Sequence, residues 1–278
     1  MTLCISEFLA TRYDWRPRTK ATAEKHLGYW EAWLNGRDIE AMTVADFENW
    51  AAGKSWSDTM RYNSLWSIKS WLGWKGITHP LLAHVVKRTM PPPGLYLEQR
   101  DAERLLEVCD PSTPKGLQDA TIVAFLWETW ARAHELVNAE RQRLDLERQE
   151  IVFQVKAGEW HQVPFGPDLR ELLEAWVKVR DTIARASTKS LFVNIRRGTP
   201  LTYWGLREIL KNLGQRAGVN VSPHAFRRGA ARHHANEGGN DRLGMARGRW
   251  TSFASYWRYT RGISLEPLKQ KRWRHHER

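Results

Sequence analysis

Hydrophobic residues in the first third of the chain recur every three or four positions, a spacing that predicts amphipathic helices. One helix is predicted over residues 20–34, and Gly36 follows as its stop. Another begins at Thr43, because Asp46 three residues later completes a capping-box pattern. Further helices are predicted to begin at Ser57 or Asp58 and, after His79-Pro80, to cover residues 81–87. The predicted inward-facing residues are Leu27, Trp30 (or Tyr29), Trp33, Leu34, Val44, Phe47, Trp50, Met60, Leu65, Ile68, Trp71 and Leu72.

The first segment shows no alternating pattern typical of strands, so residues 1–88 are predicted to form a helical module. Basic residues lie between its predicted helices, which favours contact with DNA. A helical bundle that contacts another protein would show the same pattern, and this alternative stays open. The basic residues are Arg16, Arg18, Lys20, Lys25, Arg61, Lys69, Lys75, Lys87 and Arg88.

Three consecutive prolines interrupt the helical pattern and are followed by Gly94. Because consecutive prolines favour extended polyproline geometry, residues 89–97 are predicted to be a semi-rigid linker between two domains. A surface loop within one domain is the alternative. The change from purely helical to mixed patterning favours the linker, with a second domain over residues 98–278.

The second domain is predicted to be mainly helical with a small β-hairpin. Helical patterns cover residues 98–108, 116–130, 168–184 and 202–217. The convincing strand pair is 151–155 and 161–165, and it places Lys156 at the tip of the hairpin. Arg132 falls at a turn between two helical stretches.

The C-terminal part carries the clearest candidate chemistry. Ser222 can cap a helix with Pro223 at its first position, and Gly238-Gly239 offers a stop. On that helix His224 and Arg227 are three residues apart and share a face near its positive end, which predicts an anion site, with phosphate the obvious anion. Two short helices are predicted to follow, one over residues 240–247 that is broken at Gly248 and one that contains Tyr259 and ends at Gly262.

The charge supports a polyanionic partner. The chain has 43 Lys and Arg against 31 Asp and Glu, a net charge of +12. From His224 to Arg278 there are 13 basic and 4 acidic residues, so 13 − 4 = +9 of this charge lies in the last fifth of the chain. Ribosomal and membrane-surface proteins can be equally basic, so charge narrows the class without deciding it.

The remaining composition predicts a soluble protein of a reducing compartment. Cys4 and Cys109 are far apart and lack metal-ligand spacing, so neither a disulfide framework nor a metal site is expected. Neither a signal peptide nor an apolar run long enough for a membrane span is readable. A cytoplasmic, DNA-associated location is therefore expected.

The order of these residues resembles the tyrosine recombinases, the phage integrase family. His224 and Arg227 match a His-x-x-Arg motif, Trp250 matches its His-or-Trp position, and Tyr259 follows nine residues later. Residues 129–136 are similar to the family's Thr-Gly-Leu-Arg-x-x-Glu-Leu box, which places Arg132 and Glu135. Lys156 in the hairpin resembles the family's lysine turn, and residues 19–80 resemble its helical core-binding (SAM-like) domain.

The resemblance implies a site-specific recombinase or integrase that cuts and rejoins double-stranded DNA through a 3′-phosphotyrosyl intermediate. Tyr259 would be the nucleophile, and Arg132 and Arg227 would hold the phosphate. His224 would bind the phosphate or help to remove the tyrosine proton, and Lys156 would be the acid for the 5′-oxygen. Trp250 would support the site and donate its indole N–H to the phosphate. It further implies no metal or other cofactor, a homo-tetramer on a specific DNA site and, as an option, accessory DNA-bending proteins.

Several departures and alternatives remain. Trp130 stands where the family usually has glycine, Gly248-Arg249 replaces a usual Leu-Gly, and Arg228 replaces a common His. Tyr256 is a rival nucleophile one helical turn before Tyr259. Each site residue also has a plain structural interpretation, such as a salt bridge for Arg132 with Glu135, a solvated charge at Lys156 or a cap at His224.

Alternatives at the level of function also remain. A type IB topoisomerase or telomere resolvase would share the chemistry without strand exchange, and a DNA-binding protein of the same fold would lack catalysis. The tail 264–278 is expected to dock on a neighbouring subunit, or else to lie as a disordered basic tail on DNA.

Overall fold

Helices dominate both parts of the chain, and one small antiparallel sheet accompanies them. The computed structural model describes residues 3–87, 94–154 and 159–261. Contacts divide the chain into two units, Met1–Pro91 and Pro92–Arg278. The predicted fold class, mainly α with a small sheet, is confirmed. Three features that the sequence analysis singled out lie outside the described residues. They are Lys156, the three consecutive prolines and the tail 264–278.

The N-terminal unit is built from four α-helices within its described residues. Local signals set their ends. Thr43 and Asp46 form the predicted capping box, Ser57 caps the fourth helix with its side chain, and Gly76 ends that helix in the left-handed conformation at φ 69°. The helices are α1 (Ile5–Ala10), α2 (Pro17–Leu34), α3 (Val44–Gly53) and α4 (Asp58–Lys75).

Aromatic side chains fill the core of this unit. Trp30 and Trp71 are fully buried, and Trp30 stacks on Trp33 with ring centroids 4.9 Å apart. His26 is also buried and its Nδ1 lies 2.6 Å from the Ser64 hydroxyl, which joins α2 to α4. The predicted inward faces of α2 to α4 therefore pack on one another, although Trp33, Val44 and Met60 are only partly buried.

The helix predicted over residues 81–87 does not form. A 3-10 turn, Pro80–Leu82, stands in its place and the following residues are irregular. The reason is competition for His84: its carbonyl accepts a hydrogen bond from Lys69 Nζ at 2.6 Å, and its ring contacts Glu48 at 2.7 Å. A side chain distant in the chain thus takes the backbone carbonyl of His84, and the ring contact with Glu48 holds the residue in this irregular conformation.

The C-terminal unit carries eight α-helices within its described residues, and they surround a core that includes Phe125, Trp176 and Phe192. α6 packs against α8, and α10 contacts α5, α6, α11 and α12. The helices are α5 (Gln99–Glu107), α6 (Pro114–Thr129), α7 (Ala133–Val137), α8 (Pro167–Ile183), α9 (Tyr203–Ala217), α10 (Pro223–Asn236), α11 (Asp241–Gly248) and α12 (Phe253–Thr260).

The sheet has three antiparallel strands in the order β1 (Leu144–Asp145), β2 (Glu150–Gln154) and β3 (Trp160–Pro164). Ile151 pairs with Val163 and Phe153 pairs with His161, so alternate residues face the core, where Ile151, Phe153 and Val163 are buried. The two longer strands were predicted. β1 was not, because two residues carry no readable alternation.

Within the described residues, no helix is both long enough and apolar enough to cross a bilayer.

Candidate active site

Arg132 lies at the junction of α6 and α7, where the chain turns sharply. Trp130 adopts the left-handed conformation at φ 53°, and Arg132 then becomes the N-cap of α7. The Glu135 carboxylate accepts hydrogen bonds from the Arg132 backbone N–H at 2.8 Å and from its Nη1 at 2.7 Å. The side chain of Arg132 remains 27% exposed, so part of it is open to solvent.

Arg227 reaches the same place from α10 and is fully buried. Its Nη1 donates to the carbonyl of Trp130 at 2.6 Å, and its Nη2 donates to the carbonyl of Gly248. Burial, reinforced by the positive charges of Arg132 and Arg249, lowers the pKa of Arg227 to about 9. The guanidinium still carries its charge at neutral pH.

Trp250 and Tyr259 pack beside Arg227. The cluster formed around Arg132, Arg227, Trp250 and Tyr259 is called the arginine pocket below. The Arg227 guanidinium carbon lies 4.2 Å from the centroid of the Trp250 ring and 5.7 Å from that of the Tyr259 ring. The Trp250 and Tyr259 rings are themselves 4.8 Å apart. Tyr259 is half-buried on α12.

Tyr256, the rival nucleophile, has a different environment. It is fully buried beneath Trp250, with ring centroids 5.4 Å apart. Burial, followed by the negative charge of Asp241, raises the pKa of Tyr256 to about 12. Tyr256 is therefore a core residue, and Tyr259 is the tyrosine that meets both solvent and the arginine pocket.

His224 lies on the first turn of α10, exposed to solvent and one turn before Arg227. Loss of water on its protein-facing side, then the charges of Arg228, Arg227 and Arg132, lower the pKa of His224 below its usual value. This places His224 within electrostatic range of both arginines and favours its neutral form. His233 and His234 pack instead against Trp127 and Trp130.

Arg249 is a member of the pocket that the sequence pattern did not single out. α11 ends at Gly248, one residue beyond the predicted range 240–247, and Arg249 follows in the left-handed conformation at φ 54°. Its guanidinium is buried and donates to the Glu135 carboxylate at 2.7 Å. The only hint in the sequence is that a large charged residue stands where the resemblance leads one to expect glycine.

Charge is unbalanced in the pocket. The guanidinium groups of Arg132 and Arg249 both bind the Glu135 carboxylate, and that of Arg227 lies nearby on the carbonyl of Trp130, so 3 − 1 leaves a formal charge of +2. Burial alone would raise the pKa of Glu135, but the charge of Arg249 and the hydrogen bond and charge of Arg132 outweigh it and lower the pKa to about 2. The pocket is therefore suited to an anion.

Five of the six predicted site residues, Arg132, His224, Arg227, Trp250 and Tyr259, thus lie around one pocket. Lys156, the sixth, belongs to the connection between β2 and β3, outside the described residues, and its role stays a prediction. Across residues 3–87, 94–154 and 159–261, no group of three or more His, Cys, Asp or Glu side chains is arranged to hold a metal ion.

Sequence comparison relates the chain to known recombinases. It is 31% identical to tyrosine recombinase XerC of Bacillus subtilis over 203 residues, which is 71% of this chain and 66% of the relative. It is likewise 31% identical to XerC of Staphylococcus carnosus over 191 residues, or 68% of this chain and 63% of the relative. The matches therefore span slightly less than two thirds of these relatives.

Comparison with solved structures gives the same fold. The Tn1549 transposon integrase in complex with circular intermediate DNA matches with a TM-score of 0.74 at 16% identity, over 98% of this chain and 100% of the other. XerH recombinase bound to palindromic difH substrate matches with a TM-score of 0.74 at 14% identity, over 90% of this chain and 78% of the other. The model of the phage integrase family matches residues 96–263. The chain therefore belongs to the phage integrase family, the tyrosine recombinases.

Proposed function

We propose that this protein is a site-specific DNA recombinase or integrase that cuts and rejoins DNA through a 3′-phosphotyrosyl intermediate. The observation that carries the proposal is the pocket of formal charge +2, in which the half-buried Tyr259 lies beside the buried Arg227 and the partly exposed Arg132 is within electrostatic range of Arg227. A DNA phosphate is the anion that such a pocket and such a nucleophile fit together. Membership of the family supports the same conclusion.

In the proposed reaction the Tyr259 hydroxyl oxygen attacks phosphorus, and the bond from phosphorus to the 5′-oxygen breaks. The DNA 5′-oxygen leaves as a hydroxyl, so the tyrosine gives up one proton and the leaving group gains one. The new phosphotyrosyl ester retains the energy needed for religation, and the reverse attack by a 5′-hydroxyl restores the backbone. Neither a nucleotide nor a metal cofactor is required by this balance.

Arginine suits the proposed role at positions 132 and 227. Negative charge accumulates on the non-bridging oxygens in the transition state, and forked guanidinium donors can bind two oxygens at once. Arg227 has both Nη atoms engaged with carbonyls, which holds its plane in place. The Arg132 side chain stays partly exposed, and donors that are held in place before the reaction need little rearrangement during it.

His224 and Trp250 complete the proposed site. A neutral His224 can accept the tyrosine proton, which helps because an unperturbed tyrosine has a pKa of about 10. Trp250 holds Arg227 and Tyr259 in contact through its ring, and its indole N–H is proposed to donate to the phosphate. Lys156 on the hairpin is proposed as the acid that protonates the leaving 5′-oxygen.

The proposed partner is double-stranded DNA with a specific recombination site. The structural neighbours include complexes with circular intermediate DNA and with difH substrate, which supports DNA as the partner. Residues 1–88 are proposed as the DNA-contacting core-binding domain, joined by the linker 89–97 to the catalytic domain 98–278. Assembly as a tetramer on DNA, help from DNA-bending proteins and a cytoplasmic, nucleoid-associated location belong to the same proposal.

A covalent-capture experiment tests this chemistry. A pool of nicked duplexes of randomised sequence is incubated with the protein, and adducts that survive denaturing gel electrophoresis are recovered and sequenced. We expect an adduct that Tyr259→Phe abolishes and Tyr256→Phe retains, because only Tyr259 reaches the pocket. Loss in Tyr256→Phe instead of Tyr259→Phe would reassign the nucleophile.

The same experiment separates the alternative functions. DNA binding without an adduct on any duplex would favour a catalytically silent DNA-binding protein of the same fold. If adducts form, strand exchange between two copies of the captured site is measured next. Exchange supports a recombinase, whereas cleavage and religation without exchange would indicate an enzyme of the topoisomerase IB or telomere-resolvase type.

A further inference from the structure

Two residues that replace expected glycines meet in the pocket. Trp130 and Arg249 both have positive φ, at 53° and 54°, a backbone conformation that glycine adopts freely and other residues adopt rarely. Arg249 Nη2 donates to the carbonyl of Trp130 at 3.2 Å. An arginine held in an unfavourable backbone conformation, with its charge buried, requires compensation from the contacts of its side chain.

Most side-chain contacts of Arg249 lead to the segment that carries Arg132. The others are a hydrogen bond from Nη1 to the carbonyl of Arg247 at 2.7 Å and the Phe153 ring, whose centroid lies 5.2 Å from the guanidinium carbon. Arg249 Nη1 also donates to the carbonyl of Thr129 at 3.2 Å, and its Nη2 donates to the Glu135 carboxylate at 2.7 Å. The Arg249 carbonyl in turn lies 3.5 Å from Arg132 Nη2. The Arg249 side chain therefore bridges the end of α6 and the start of α7. The turn between these helices carries Arg132, the proposed phosphate ligand.

Glu135 is the shared partner of the two arginines. Its Oε2 accepts from Arg249 and from the Arg132 backbone N–H, while its Oε1 accepts from Arg132 Nη1. Without Arg249, this buried carboxylate would keep a single arginine partner and gain freedom to turn. Because the Arg132 guanidinium is oriented through Glu135, such a movement would be passed directly to it.

We propose that Arg249 is a positioning residue, which fixes Glu135 and thereby aims the Arg132 guanidinium at the scissile phosphate. The proposal rests on the function proposed above, for which Arg132 contacts the phosphate. It also accounts for arginine at a position where glycine would suit the backbone better. The competing explanation is that the Arg249–Glu135 pair only stabilises the fold.

The backbone conformation at position 249 lets Arg249→Gly test the side chain alone. Glycine accepts the left-handed conformation without strain, so the variant removes the side chain and leaves the turn favourable. Arg249→Lys keeps the charge but loses the forked donor geometry. Arg180→Gln is the matched control, because Arg180 is also a buried arginine that donates to backbone carbonyls, those of Thr188 and Ser190, and none of its contacts involves the pocket.

Two measurements are made on the full chain. The first is the single-turnover rate of adduct formation on the captured nicked duplex, per folded molecule, together with the Kd for that duplex. The second is the rate at which the Arg132 guanidinium rotates. It is measured by ¹⁵N NMR on arginine-labelled protein without DNA, and the Arg132 signal is assigned by comparison with Arg132→Lys. The second readout does not depend on catalysis.

We expect Arg249→Gly to lower the cleavage rate by about a hundredfold, since small misplacement of a catalytic group has effects of this order. The Kd should change by less than about twofold, because most affinity comes from other phosphate contacts. Arg249→Lys keeps the charge, so it should cleave about tenfold faster than Arg249→Gly. The slow rotation of the Arg132 guanidinium should become fast in Arg249→Gly and stay slow in Arg180→Gln.

The outcomes separate the two proposals. If Arg249→Gly cleaves at the wild-type rate per folded molecule and the Arg132 signal is unchanged, the positioning role is wrong and the ion pair only stabilises the fold. If the wild type forms no adduct on any duplex while Arg249→Gly frees the Arg132 guanidinium, the proposed function fails and the positioning of Arg132 stands.

Discussion

The guanidinium of Arg227 lies over the Trp250 ring at 4.2 Å from its centroid, and no part of Arg227 is exposed to solvent. A buried arginine must recover the loss of its hydration from protein contacts, and an aromatic face supplies part of that energy. The same ring touches Tyr259, with centroids 4.8 Å apart. Trp250 thus sets the relative position of the proposed phosphate ligand and the proposed nucleophile.

Replacing Trp250 should therefore cost both stability and activity. For Trp250→Ala we expect the free energy of unfolding in urea to fall by about 3–5 kcal/mol, the usual cost of removing a buried Trp, and for Trp250→Phe by less. Trp204→Ala is the control, because Trp204 is 70% exposed and should change stability by roughly 0.5 kcal/mol or less. Equal losses in the two alanine variants would contradict the packing role of Trp250.

Gly248→Ala should disturb the pocket by displacing the Trp250 ring. A methyl group at Gly248 would overlap the Trp250 ring, so the ring must shift from its present position against Arg227. We expect loss of stability in urea unfolding and a cleavage rate reduced by about tenfold or more. Gly28→Ala is the matched control: nothing lies within 4 Å of the added methyl in the middle of α2, so it should stabilise the protein by roughly 0.5–1 kcal/mol.

Because of Glu135, the free energy of unfolding should decrease at acidic pH. Its pKa is lowered from 4.5 to about 2 in the folded protein, so its ionised form stabilises the fold above the unfolded pKa, and this contribution disappears as the pH falls through the folded value. A shift of this size corresponds to about 3 kcal/mol at neutral pH.

Urea unfolding between neutral pH and pH about 3 measures this contribution. The wild type should lose stability progressively below about pH 4.5, while Glu135→Gln should start lower and depend less on pH in that range. Glu103→Gln, an exposed carboxylate on α5, is the control for a general change of charge. A wild-type curve parallel to that of Glu135→Gln would show that Glu135 is not held ionised.

The pH dependence of cleavage should reflect His224. Because its pKa is lowered below the usual value of about 6.5, His224 stays neutral as the pH falls through that value. We expect the single-turnover cleavage rate to stay constant as the pH falls through about 6.5. The rate should decrease only at more acidic pH, where His224 gains a proton. His224→Asn should be slower throughout and lack this acidic decrease. An unaltered acidic limb in the variant would assign the titration to another group.

DNA binding should weaken steeply with salt. The chain carries a net charge of +12, and phosphate contacts by Lys and Arg release counterions from the duplex. With about six to ten such contacts, the affinity measured by fluorescence anisotropy should fall by roughly 10³ to 10⁵ between about 50 and 200 mM salt. A duplex with uncharged methylphosphonate linkages should bind weakly and show little salt dependence. A flat response with the natural backbone would argue against the proposed DNA partner.

Local signals in the sequence were sufficient for most helix ends. Thr43 with Asp46, Ser57 and Ser222 all cap helices where predicted, since a cap depends on residues only three or four positions apart. The same signals failed at residues 81–87, where Lys69 and Glu48 take the polar groups of His84. Both of these partners are distant in the chain, and no local pattern reports them.

By itself the sequence determined the helical periodicity, the hairpin strands and, through the motif order, the identity of five residues that the fold brings to one pocket. Tertiary structure supplied the physical reason why Tyr259 and not Tyr256 meets that pocket: the two are one helical turn apart, and Tyr256 is fully buried whereas Tyr259 is half-buried. It alone decided the pairing of Arg249 with Glu135, which are 114 residues apart. Burial and ion pairing depend on every element packed around a group, whereas caps and periodicity depend on near neighbours in the chain.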